Sequence, residues 1–92
     1  MDIHFYATLR EVTGGKTVSL NLAAECTVRQ MLESVFAVYP LLRAKLMDAD
    51  NNLLPHVHVF INGRDVEYLE LAMETVIQPS DKLDIFPAVG GG

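Results

Sequence analysis

Cysteine occurs once in this chain, as Cys26, and tryptophan not at all. A single thiol excludes an intramolecular disulfide framework, a four-cysteine iron–sulfur site and a cysteine zinc cage. Basic residues are scarce, seven Lys and Arg against twelve Asp and Glu, for a formal charge of −5. Binding to nucleic acid rests on Lys and Arg against phosphate, so this composition argues against a nucleic-acid surface. An acidic chain suits a basic pocket on a partner, although acidity also simply keeps a protein soluble. No apolar run approaches the ~18 residues of a membrane span, and no basic-then-apolar leader opens the chain. The expected location is therefore the cytosol. A nucleotide-binding glycine loop is missing as well, since Gly14-Gly15 reads as a turn between strands and the terminal glycines precede nothing.

What is present is enough for one folded domain. Half of the 92 residues are hydrophobic, and a chain of this length buries somewhat under about two-thirds of its unfolded surface. Ile3, Phe5 and Ala7 alternate with Asp2, His4 and Tyr6, the period of a half-buried strand. Thr13-Gly14-Gly15 then leads into residues 17–22, where Val18, Leu20 and Leu22 share a face, and the pair predicts a hairpin with no helix before residue 26. Thr27 and Gln30 form a T-x-x-Q capping box, with Cys26 and Met31 at the positions of a hydrophobic staple. Val28, Met31, Leu32, Val35, Phe36 and Tyr39 follow at helical spacing, and Pro40 ends the helix near Tyr39. Residues 41–47 fit a short second helical turn and 48–52 a loop.

Val57, Val59 and Ile61 alternate with His58 and Phe60 and run into Asn62-Gly63, a strong hairpin signal, with a brief strand at Arg64-Asp65-Val66. Residues 68–74 read as irregular or a single helical turn. Pro79-Ser80-Asp81 is a turn, and residues 82–86 are the last strand. This order predicts an α+β domain with a mixed sheet of four to five strands and one main helix across one face, the pattern of the ubiquitin-like β-grasp fold. The domain spans residues 1–86. Residues 87–92, Pro-Ala-Val-Gly-Gly-Gly, are expected to form a flexible tail ending in a carboxylate at Gly92, with no Cβ at Gly90 or Gly91 to obstruct entry into a narrow slot. At roughly 3.3–3.6 Å per residue it reaches about 20 Å from the sheet. An idle, frayed end is the competing reading.

Four stretches together resemble the MoaD/ThiS family of sulfur carriers, most closely its MoaD branch. They are Phe5-Tyr6-Ala7-Thr8-Leu9-Arg10-Glu11, Tyr39-Pro40, Ile61-Asn62-Gly63-Arg64-Asp65-Val66, and Asp84-Ile85-Phe86-Pro87-Ala88-Val89 before the glycines. The resemblance implies that an ATP-dependent, MoeB-like activating enzyme adenylates the Gly92 carboxylate, after which sulfur from a persulfide relay leaves a thiocarboxylate. It implies a MoaE-like large subunit of molybdopterin synthase as the receiving partner, or another sulfur-accepting enzyme. It further implies no tightly bound cofactor or metal and no catalytic side chain on the chain itself. Gly90 stands where the family usually has alanine, and Pro79-Ser80-Asp81 where it often has a glycine. Leu46-Met47-Asp48 and Tyr68-Leu69 are similar to relatives that serve cysteine synthesis or transfer-RNA thiolation. The same activated tail would also serve a protein modifier conjugated to lysines.

Strand parity adds a separate expectation. Tyr6, His58, Phe60 and Phe86 fall on the sheet face opposite Phe5, Val59 and Ile85, hence away from the helix. With the first, last and third strands adjacent, these rings and Pro87 would form a partner-binding patch where the tail leaves. Three other features have plainer readings. His56 and His58, with His4 on a neighbouring strand, lack a fourth ligand for zinc and fit strand-surface histidines. Cys26 has no basic neighbour in sequence to lower its pKa and fits a buried staple better than a nucleophile. Glu67, Glu70 and Glu74 suit either a basic partner groove or plain solvation.

Overall fold

A computed structural model of the chain describes residues 1–22 and 25–87. The opening alternation becomes strand β1, Asp2–Phe5, with Ile3 and Phe5 fully buried. Beyond it the chain departs from the expected hairpin. Ala7 takes a left-handed φ of 53° and turns the backbone into a short helix α1, Leu9–Thr13, where the sequence pattern predicts none. Five residues with a single buried side chain, Leu9, leave no helical periodicity to read. Gly14, at φ 77°, closes the helix and donates its N–H to the Arg10 carbonyl at 2.9 Å. Strand β2, Thr17–Ser19, then pairs antiparallel with β1, so the two strands meet as expected although their connection contains a helical turn. Regular pairing stops at Ser19, short of the expected 22, although the Leu20 N–H still reaches the Met1 carbonyl.

The main helix α2, Val28–Val38, begins and ends as its residues dictate. The Thr27 hydroxyl accepts from the Gln30 N–H while the Gln30 side chain accepts from the Thr27 N–H, a reciprocal cap of the kind whose removal costs about 1 kcal/mol. Val28, Met31, Leu32, Val35 and Phe36 are buried on its inner face. At about 1.5–3 kcal/mol for each large apolar side chain, as an upper estimate, this face rather than helix propensity holds α2 in place. Pro40 opens α3, Leu41–Leu46, which buries Leu42 and Leu46.

Strand β3, His58–Ile61, turns through Asn62 and Gly63, whose φ values of 52° and 82° are both positive, into β4, Arg64–Asp65. That strand is one residue shorter than expected. Val66 instead starts a 3₁₀ turn that the Asp65 carboxylate caps by accepting the Glu67 N–H at 2.9 Å. A second 3₁₀ turn covers Ala72–Glu74. The Pro79-Ser80-Asp81 turn forms without the glycine the family often has there, because both Asp81 carboxylate oxygens brace it, one accepting from the Gln78 N–H at 2.7 Å and the other from the Asn62 amide at 2.9 Å. Strand β5, Leu83–Phe86, completes a five-stranded sheet of order β2-β1-β5-β3-β4, parallel between β1 and β5 and antiparallel elsewhere.

This is the β-grasp architecture, with β5 central and the core between sheet and α2. Among the described residues no helix is long and apolar enough to cross a membrane. Pro87, at the end of β5, is buried. The tail positions Ala88 to Gly92, and with them the expected site residues Gly90, Gly91 and Gly92, lie outside the described residues.

Candidate functional site: the open sheet face

The register of three adjacent strands brings together residues far apart in sequence. In β3 and β5, His58 lies opposite Phe86 and Phe60 opposite Asp84, while β1 runs parallel to β5 with His4 beside Asp84 and Phe5 beside Ile85. One residue further on, Tyr6 comes alongside Phe86. The two rings stack at 4.2 Å between centroids and 12° between planes. Phe60 meets Phe86 edge to face at 5.4 Å and 87°, and His58 lies 6.0 Å from Phe60. Such offset and T-shaped pairs add about 0.5–1.5 kcal/mol beyond their area burial. Tyr6, His58, Phe60 and Phe86 are all half-buried, so the expected cluster exists and is not sealed over. Pro87 continues it, lining with Ala7, His56, His58, Phe60 and Phe86 a hollow of about 470 Å³. The hollow therefore sits where the chain passes from β5 into the tail.

Two carboxylates give this face a polarity that the aromatic parity pattern does not convey. The Tyr6 hydroxyl donates to Asp84 Oδ1 at 2.7 Å, and Asp65 Oδ2 lies 2.7 Å from His58 Nδ1. Asp84 is 7% exposed, the only buried charged residue among those described. Its hydrogen bond to the phenol raises the Tyr6 pKa above its ordinary value; partial burial and the negative charge of Asp84 add to this, and Arg10 opposes it. Arg10 lies 5.6 Å from the Tyr6 ring centroid and donates from Nε to the Phe5 carbonyl at 3.1 Å. Sequence reading passed over Asp84, yet the signal was there, because period two places it on the same side as Phe86. Asp65 carried no comparable signal. Its role depends on the hairpin register, which sets it opposite Phe60.

The other sequence candidates separate from this face or change partner. His4 is not on a strand neighbouring His58, because β5 lies between β1 and β3, and its Nδ1 is 3.1 Å from the Thr17 hydroxyl. His56 precedes β3 at a φ of 68°. Among the described residues, ligand atoms of His58, Asp65 and Glu67 lie within 4.8 Å of one another, a grouping that could hold a cation. The close His58–Asp65 hydrogen bond already accounts for two of its members. Cys26 is buried, and burial pushes its thiol pKa up, which fits packing rather than nucleophilic sulfur chemistry. Of the three acidic residues in the stretch after β4, Glu74 pairs with Arg29 at 2.8 Å.

A five-stranded sheet of this order with one helix across it and a half-open aromatic face at the end of β5 defines a ubiquitin-like domain. The ThiS family model matches residues 3–92, and the chain belongs to that family of ubiquitin-like sulfur carriers. It is 37% identical to small archaeal modifier protein 3 of Haloferax volcanii, over all of this chain and 98% of the relative. The crystal structure of SAMP1 from Haloferax volcanii superposes with a TM-score of 0.83 at 28% identity, covering 99% of this chain and 97% of that one. The structure of the Amycolatopsis orientalis BexX/CysO complex contains a chain that matches with a TM-score of 0.81 at 28% identity, covering 99% and 98%.

Proposed function

We propose that this chain is a sulfur carrier charged at the carboxylate of Gly92, and that the open face seats the enzyme that charges it. A carboxylate is a poor electrophile because its leaving group would be oxide. Attack of that carboxylate on the α-phosphorus of ATP, bound by an activating enzyme, releases pyrophosphate and leaves an acyl adenylate. The terminal sulfur of a persulfide then displaces AMP, and a second thiol opens the resulting disulfide to leave the thiocarboxylate. The chain's own part is delivery. Gly91 and Gly92 let the backbone lie flat in a narrow channel, and Gly90, in place of the family's usual alanine, raises the entropy lost on docking.

The observation that carries this reading is the cluster of Tyr6, Phe60 and Phe86, half-open and extending to Pro87, the last described residue before the tail. Exposed contiguous aromatics of this kind mark docking surfaces. The finer role we infer is that of the small subunit of a molybdopterin synthase, working in the cytosol and handing sulfur to a pterin precursor held by a MoaE-like large subunit. The four stretches beginning at Phe5, Tyr39, Ile61 and Asp84 support it. Identity of 37% to a small archaeal modifier protein favours a second reading, conjugation of the same activated carboxylate to lysines of other proteins.

Intact-mass analysis after incubation with the cognate activating enzyme, ATP and a persulfide source tests the common core. Replacement of one oxygen by sulfur at Gly92 is expected, and an unchanged mass refutes it. Peptide mapping of cells then separates the two finer roles. Lysines bearing the residue 83–92 remnant that trypsin leaves after Lys82 favour the modifier, and their absence alongside abundant thiocarboxylate favours the synthase subunit.

A further inference from the structure

Asp84 is more than nine-tenths buried on a face whose aromatic rings stay half-open. One of its oxygens accepts the Tyr6 hydroxyl. The second has no hydrogen-bond partner among the described residues, and Asp84 takes part in none of the ion pairs found there. A bond that merely ties β1 to β5 through Tyr6 needs one neutral acceptor; a carboxylate leaves a negative charge over. That charge forms part of an open hollow of about 340 Å³ whose walls are Tyr6, Phe60 and Phe86, with Gly63 and Lys82 completing it. Phe60 lies directly across the strand pair from Asp84 and, on its other side, from Asp65.

From this arrangement we infer that the hollow receives an arginine side chain of the docking partner, its guanidinium bonded to the free oxygen of Asp84 and stacked on the Phe60 ring, since Phe86 stands perpendicular to Phe60 and is itself stacked by Tyr6. The inference rests on the reading of this face as the seat of the activating enzyme and specifies the chemistry of that contact. A guanidinium meets both demands of the hollow at once. Its planar fork bonds a carboxylate while its flat surface stacks on aromatic rings, which a strongly hydrated lysine ammonium does less well. The cluster already takes such a group from one side, since Arg10 of the same chain lies over the Tyr6 ring. Lys82 at the rim opposes a second cation, but its exposed side chain can swing into solvent. The acidic chain, at −5, adds a long-range attraction for a basic partner surface.

Two variants and two readouts test this. Asp84→Asn keeps an acceptor for Tyr6 and removes the charge, whereas Tyr6→Phe keeps the charge and frees both oxygens. Amide resonances of the full chain are followed during titration with N-acetyl-arginine amide and, separately, N-acetyl-lysine amide. Shifts around Phe60, Asp84 and Phe86 are expected with the arginine compound, weaker ones with the lysine compound, retention in Tyr6→Phe and loss in Asp84→Asn. In charging assays with the cognate activating enzyme, Asp84→Asn should raise the KM for the carrier by about tenfold with kcat unchanged, as befits loss of a contact made equally in ground and transition states. No arginine preference, or an unchanged KM in Asp84→Asn, overturns the inference. Failure of the wild-type chain to be charged at all refutes the sulfur-carrier reading instead, and the arginine titration then decides the hollow's chemistry alone.

Discussion

The two faces of the sheet are built by the same strands from alternating residues, yet they meet different fates. On the inner face Ile3, Phe5, Val59, Leu83 and Ile85 are completely buried, covered by α2 and its neighbours. On the outer face Tyr6, His58, Phe60 and Phe86 are equally bulky but half-open, and each polar ring among them leans on a carboxylate. An aromatic ring on the first face serves folding. On the second it makes less sense for folding alone, because part of its apolar surface stays in water. The difference teaches that the sheet is a partition between a face sealed for stability and a face left open, the one on which we propose a partner docks, and substitutions should respect it.

The largest effect is expected on the inner face. Phe5→Ala leaves a cavity beneath α2 and should cost about 3–5 kcal/mol, read by denaturant unfolding. On the outer face, Phe60→Ala should cost only about 1–2 kcal/mol of stability, since the ring is only partly buried, while weakening partner binding by about 2 kcal/mol or more. Calorimetric titration with the activating enzyme checks the second figure. A Phe60→Ala chain as unstable as Phe5→Ala would break the partition. Thr27→Ala lies off the sheet and serves as the intermediate case, with about 1 kcal/mol lost through the cap and charging untouched. The smallest effect concerns Tyr6, whose pKa is raised by its bond to Asp84. Its contribution to stability is complete below the ordinary tyrosine pKa and is lost as pH climbs through the raised folded value. The stability difference between wild type and Tyr6→Phe should therefore shrink only in strongly alkaline solution, and phenolate absorbance should appear later in the folded chain than in the unfolded one.

Much of this partition could be read from residue order alone, because each face follows from period two. The start of α2 at Thr27 and its stop before Pro40 were equally legible, since capping and proline sterics act within four residues. The Asn62-Gly63 turn was legible for the same reason. Helix α1 was not, because what makes it is one left-handed residue, Ala7, and one buried side chain, Leu9. The Tyr6–Asp84 bond joins residues 78 apart, so its existence depended on β5 lying beside β1. The histidines show the converse. His4 and His58 look like neighbours until the sheet order puts a strand between them. Of the candidate site, the rings were foreseeable and the carboxylates beside them were not, since parity reports which face a residue takes but not which neighbour it finds there.

The most direct test of the partition is the yield of thiocarboxylate at Gly92, measured by intact mass under limiting activating enzyme, for wild type and for Phe60→Ala at a temperature where both are folded. The account predicts a marked fall in the initial rate for Phe60→Ala while its circular dichroism stays native. Equal rates for the two chains would contradict it, since the open face would then have no part in charging the tail.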